Sequence, residues 1–202
     1  MKNLLIAFLM IGAITFSNAQ DAKSKLEEIY NRYANIPNYK VNISYSNVND
    51  RMGFSNTQEG VLVVEGYRYV LKYGENEIWL NDGTTEYVGT KEEDHSQILY
   101  FCPGQNEEAI INFGKLTTFF RTDHTPSISG NILSLKPKGE APYVDLHIEF
   151  EGSEIIAIRA VDDFGSAYTY ALSGFSTNTS GTSFTINENE YREKIDERGG
   201  CK

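Results

Sequence analysis

Residues Glu59 to Gly89 restrict the fold more than any other stretch. Val61-Leu62-Val63-Val64 is a short apolar run with the β-branched character of a strand buried on both faces. After Glu65-Gly66 comes a strict alternation, with Tyr67, Tyr69, Leu71 and Tyr73 on one side and Arg68, Val70 and Lys72 on the other. Strand side chains switch face at every residue, which predicts one aromatic, apolar face and one mostly solvated face. Gly74-Glu75-Asn76 turns the chain into Ile78-Trp79-Leu80. Asn81-Asp82-Gly83 then turns it into Thr85-Glu86-Tyr87-Val88, because Asp-Gly readily takes the positive φ angles of a tight hairpin. This is an antiparallel meander, and its apolar face has to be covered by helices, a second sheet or a ligand.

The amino terminus has the order of an export signal. Lys2 precedes an apolar core from Leu4 to Phe16, followed by Ser17-Asn18-Ala19. The core falls short of the ~20 residues that a membrane span needs. Residues 1–19 are therefore read as a cleavable signal peptide and 20–202 as a single domain, with Gln20 as the mature terminus in the periplasm. No Cys lies at that junction to carry a lipid. Loss of Lys2 with the leader takes the formal charge from -10 to -11. So acidic a body argues against nucleic acid and anionic membrane surfaces as partners. The chain is read as a monomer. Cys102 and Cys201 are the two cysteines. In an oxidising compartment they could pair and tie the C-terminus to the body, or stay free, and their spacing does not decide.

Leu26, Ile29, Tyr30 and Tyr33 recur at three- and four-residue spacing, which predicts a helix over Asp21 to Ala34 stopped by Pro37. Lys40 to Tyr45 reads as a strand, Asn47 to Gln58 as a polar loop and Thr90 to Gln97 as a charged loop. A second, short helix is expected from Asn106 to Leu116, with Ala109, Ile110, Phe113 and Leu116 as its apolar stripe. Strands return at Ile132 to Lys136, Tyr143 to Phe150, Glu154 to Val161, Ser166 to Phe175 and Ser183 to Ile186. Asn187 to Lys202 is highly charged and reads as a solvated tail or frayed helix. The fold class is mainly β, with a strongly curved antiparallel sheet and one or two amphipathic helices in or across its open side.

Little here suggests catalysis. His95, His124 and His147 are the only histidines. His147 falls opposite Val144, Leu146, Ile148 and Phe150, and so toward solvent. Asp94-His95-Ser96 and Asp123-His124-Thr125 hold the residue types of a hydrolase triad, but adjacency is not the required geometry and no G-x-S-x-G elbow occurs. They read as polar loop residues. Metal-ligand spacings and glycine-rich phosphate loops are absent, and Asp162-Asp163 reads as a hairpin turn. No enzyme, metal or cofactor is expected.

Several segments resemble, in order and spacing, the periplasmic outer-membrane lipoprotein carrier family LolA. They are Gln58-Glu59-Gly60-Val61-Leu62-Val63-Val64, Tyr67-Arg68-Tyr69, Ile78-Trp79-Leu80-Asn81-Asp82-Gly83, Ile132-Leu133-Ser134-Leu135-Lys136-Pro137-Lys138 and Ser183-Phe184-Thr185-Ile186. The resemblance implies an incomplete antiparallel barrel, lidded by helices, that holds lipoprotein acyl chains in its hollow. It implies as partners lipidated proteins, an inner-membrane ABC-type release complex and an outer-membrane acceptor. The acceptor of the same fold is itself lipidated at a Cys, which this chain lacks after its signal. The family often has a basic residue and a proline between the strands joined here by Glu65-Gly66. Neither is present, and Arg68 is the nearest substitute.

The expected acyl-chain cavity comprises Leu26, Ile29, Tyr33, Ile43, Tyr45, Val61, Val63, Tyr67, Tyr69, Leu71, Leu80, Ile110, Phe113 and Leu116. Each would serve equally in a filled core, because hollow and filled barrels share one binary pattern. Two other functions fit the same pattern. One is a related half-barrel that carries free lipid or senses envelope stress. The other is a structural or adhesion domain that binds no lipid.

Overall fold

The computed structural model describes residues 19–103 and 120–201. Most of the expected leader, and the helix expected over 106–116 with Ile110, Phe113 and Leu116, lie outside the described residues. The chain is mainly β. The strands are β1 (Asn38–Asn49), β2 (Phe54–Glu65), β3 (Arg68–Tyr73), β4 (Glu77–Asn81), β5 (Glu86–Lys91), β6 (Ser96–Phe101), β7 (His124–Ser129), β8 (Ile132–Pro137), β9 (Asp145–Glu151), β10 (Glu154–Val161), β11 (Ala167–Ser176) and β12 (Glu193–Asp196). They form one open sheet in the order β12-β6-β5-β4-β3-β2-β1-β11-β10-β9-β8-β7. Helix α1 spans 19–34, and residues 120–123 are helical.

Two compact units share this sheet. One contains 19–35, 47–55 and 120–169, the other 36–46, 56–103 and 170–201. In the first, β7 to β10 are successive antiparallel neighbours, with Leu133, Leu135, Leu146, Ile148 and Phe150 alternating inward. The α1 stripe of Ala22, Leu26, Ile29 and Tyr33 is buried. Polar contacts fix the helix on the β9–β10 hairpin. The Ile155 amide donates to the Tyr33 hydroxyl at 2.9 Å, and the Arg32 guanidinium pairs with Glu154 at 2.6 Å. Arg121 lies 4.0 Å from the centre of the Tyr30 ring and pairs with Glu27 at 3.0 Å, so residues 120–123 dock on the same helix.

In the second unit the meander runs β2 to β6 in unbroken antiparallel register. Gly66, at φ 61°, supplies the positive φ of the β2–β3 turn.

Four segments differ from the sequence expectation, the first being His124–Ser129, which is strand β7 where loop was expected. Asn47 to Gln58 is a hairpin with its turn at 50–53, and Thr90 to Gln97 is the β5–β6 hairpin. Polar composition concealed both, since edge-on strand faces can be solvated. The charged C-terminus is neither tail nor helix. Ser183 to Ile186 is extended without a ladder, Glu188–Glu190 forms one 3-10 turn, and β12 pairs in parallel with β6. Cys102 and Cys201 are joined by a disulfide, with Cα atoms 5.4 Å apart.

Candidate functional site

Register sorts the meander's side chains into two faces. Directly paired residues share a face, so Val63, Val70, Leu80, Tyr87 and Tyr100 form one row, and Val61, Lys72, Ile78, Gly89 and Ile98 the next. The chain's own C-terminal segment covers this face. Phe184 packs into the cluster of Val63, Val70 and Leu80, and Tyr191 packs with Ile98 and Tyr100. Polar contacts hold the strap along its length. Thr179 donates to Glu65 at 2.7 Å, Tyr100 donates to Glu188 at 2.8 Å, and Lys91 pairs with Glu190.

The other face carries the rows Val64–Tyr69–Asn81–Glu86–Phe101, Leu62–Leu71–Trp79–Val88–Leu99–Ile195 and Gly60–Tyr73–Glu77–Thr90–Gln97. The middle row is apolar throughout. Leu62 and Leu71 are buried, while Trp79, Val88, Leu99 and Ile195 are half-buried. On β1, Ile43 and Tyr45 share this face. Tyr45 meets Tyr73 with ring centres 6.4 Å apart and Tyr170 at 4.9 Å.

The flanking rows are polar at their inner positions. Tyr69 donates to the buried carboxylate of Glu86, and burial followed by that carboxylate pushes its phenol far above the ordinary range. The Trp79 indole donates to Glu77 at 2.6 Å, and burial, Glu77 and Tyr45 push the Tyr73 phenol up to about 12. Both phenols therefore keep their protons into alkaline solution.

The residues expected to line one cavity are thus divided. Ile43, Tyr45, Tyr69 and Leu71 share the face just described. Val61, Val63 and Leu80 lie on the opposite face, under or beside the strap. Tyr67 occupies the β2–β3 turn with Gly66 and is 89% exposed. The turn takes up that position, so the aromatic alternation begins at Tyr69. Val70, expected on a solvated face, is buried by Phe184. Leu26, Ile29 and Tyr33 belong to the α1 stripe of the other unit. Arg68 does not act as a free basic latch: its guanidinium pairs with Glu65 at 2.9 Å and lies 4.6 Å from the Phe184 ring centre.

Of the histidines, His124 departs from the loop expectation. It is buried, its Nε2 is 2.7 Å from the Tyr143 hydroxyl, and the two rings stack. His147 does face outward. Ser134 Oγ lies 3.0 Å from its Nδ1, and Asp145 lies 3.0 Å from its Nε2. The residue types are those of a hydrolase triad, but the ring nitrogens are exchanged relative to one, and Ser134 sits mid-strand between Ser127 and His147, where backbone amides serve the ladder rather than an oxyanion. The pairing of Ser134 with His147 was the missing signal, and sequence alone does not give that register. Among the described residues no group of three or more His, Cys, Asp or Glu could hold a metal ion, and no helix is long and apolar enough to cross a membrane.

No protein-family model and no curated protein sequence matches the chain. Solved structures do resemble it. LprF from Mycobacterium bovis is 12% identical over 83% of this chain and 97% of that one, with a TM-score of 0.43. A LolA superfamily protein from Nitrosomonas europaea is 11% identical over 84% of this chain and 96% of that one, with a TM-score of 0.39. The lipoprotein LppX from Mycobacterium tuberculosis is 11% identical over 82% of this chain and 99% of that one, with a TM-score of 0.37. At such identities no residue role is carried across.

Proposed function

We propose that the chain is an exported carrier that shelters the acyl chains of lipidated proteins in the periplasm. In this reading it receives them from an inner-membrane ABC-type release complex and delivers them to an outer-membrane acceptor. The observation that carries the reading is the row Leu62–Leu71–Trp79–Val88–Leu99–Ile195, which grades from buried to half-exposed along one face. The protein closes the opposite face with its own strap, and the half-exposed end of this row is apolar surface along which an acyl chain would lie. Burying an acyl chain gains ~0.8 kcal/mol per methylene, so fourteen carbons left in water cost on the order of 10 kcal/mol. Crossing an aqueous compartment therefore calls for apolar surface, and handing the cargo on calls for no covalent chemistry. The resemblance of Gln58 to Val64 and Ile78 to Gly83 to the LolA family favours the same reading.

Binding of a fluorescent fatty-acyl probe and of a lipidated peptide, measured beside a thermal melt, tests it. Val88→Asp and Leu99→Asp place a charge on half-buried positions of the row, and should leave a folded protein with much weaker acyl binding. Phe113→Asp should act alike. Mass spectrometry of the protein purified from its native envelope should find co-purified lipid. Wild-type protein that binds neither probe, together with an unfolded Leu71→Asp variant, would make this face a filled core and the protein a structural domain.

A further inference from the structure

Met52, Phe54 and Phe164 are three of the large apolar side chains left in water, at 78%, 48% and 72% exposure. Met52 and Phe54 flank Gly53 at the tip of the β1–β2 hairpin, and Phe164 lies in the β10–β11 turn. The two tips adjoin. The buried side chain of Asn49 donates to the Phe164 carbonyl at 3.4 Å and to Ser166 at 3.0 Å, and it accepts from the Met52 amide at 3.1 Å. A side chain built on Gly165 would start 3.7 Å from the Arg51 guanidinium. The second turn is also fixed from within, since Asp162 accepts from the Ser166 amide at 2.7 Å and from the Tyr168 hydroxyl at 3.2 Å. A buried amide thus holds two turns together, and the turns point their largest apolar groups outward.

We propose that these paired tips are a docking surface for a zwitterionic lipid bilayer, with Met52, Phe54 and Phe164 entering the boundary between headgroups and acyl chains. Exposed apolar groups clustered on an ordered scaffold mark interaction surfaces. These project from turns rather than line a groove, which suits a fluid medium better than a shaped protein pocket. Charge selects the kind of bilayer. Asp50, Asp162 and Asp163 accompany the single cation Arg51, so an anionic leaflet would repel the collar and a neutral one would not. The site uses no residue of the apolar row and stands independently of acyl-chain carriage.

Flotation of the full exported chain with phosphatidylcholine vesicles tests the proposal. Wild-type protein should float with the vesicles and dissociate as phosphatidylglycerol is added. Met52→Ser/Phe164→Ser should weaken binding by about tenfold or more, from the apolar area withdrawn. Ile132→Ser, also an exposed apolar position but at the opposite end of the β9–β10 ladder, should bind as wild type. Met52→Trp/Phe164→Trp should bind at least as well as wild type, which separates lost insertion from lost folding. The proposal is overturned if wild-type protein does not float, if the serine pair binds undiminished, or if vesicles retain the protein only when they contain cationic lipid. It is equally overturned if the serine pair abolishes association with a purified envelope protein while wild type ignores vesicles.

Discussion

Tyr191 lies against Gly89: a Cβ built on that glycine would fall 2.7 Å from Cζ of the tyrosine ring. The bare backbone of β5 is the seat on which the C-terminal strap rests. Gly89→Ala should therefore lift Tyr191 and loosen the strap, costing about 1–3 kcal/mol as an overpacked contact. Chemical denaturation of Gly89→Ala, Tyr191→Ala and the double variant checks this. The two costs should be strongly non-additive, and simple additivity would mean that the seat is not shared.

The disulfide between Cys102 and Cys201 links residues 99 positions apart in sequence. Cys102→Ser/Cys201→Ser should lose about 2–5 kcal/mol of stability, as expected for a native bridge across a long loop. The strap should nonetheless stay seated through Phe184 and Tyr191. Hydrogen exchange should thus quicken first in β12, whose four residues pair only with β6. Global loss of protection on reduction alone would contradict this ordering.

Tyr73 and Tyr100 make stability sensitive to alkali. Burial, then Glu77 and Tyr45, push Tyr73 up to about 12, and burial with the hydrogen bond to Glu188 pushes Tyr100 up to about 12. The folded chain keeps protons that the unfolded chain gives up near pH 10, so the contribution is complete below about pH 10 and disappears as pH rises toward 12. Denaturant midpoints measured across that window should fall, and Tyr73→Phe/Tyr100→Phe should flatten the decline. Phenolate absorbance should rise in at least two steps. One step near pH 10 for all thirteen tyrosines would overturn the assignment.

Cleavage after Ala19 would place Gln20 in the first turn of α1, which spans 19–34. In the proposed reading, the exported chain should begin at Gln20 by N-terminal sequencing, with an intact mass short by residues 1–19. An uncleaved, membrane-bound chain would overturn the expectation.

Features set by local periodicity were legible in the sequence, and features set by distant partners were not. Leu26, Ile29 and Tyr33 announce one helical face by spacing alone, and the meander's strands declare themselves by alternation between turns. Which face a residue joins depends on how many positions a turn consumes. That is why Val63 and Leu80 stand opposite Tyr69 and Leu71, and why Tyr67 drops out of the strand. The strap was illegible for a different reason. Asn187 to Lys202 is charged and locally unremarkable, and its order comes from Gly89, Tyr100 and Cys102, about a hundred residues earlier. Gly60 gives the same lesson in miniature: a Cβ there would lie 2.7 Å from the Tyr73 ring, a requirement no local pattern reveals.

The parallel pairing of β12 with β6 also sets a sequence in time. The sheet's edge, the cover over Val63 and Ile98, and the covalent tie at Cys102 all await residues between 184 and 201, which follow every strand they meet. A chain that emerges amino terminus first cannot close this unit until those residues have followed. Loss of two electrons and two protons from Cys102 and Cys201 to an external oxidant thus fastens a strand that the ladder to β6 has already placed.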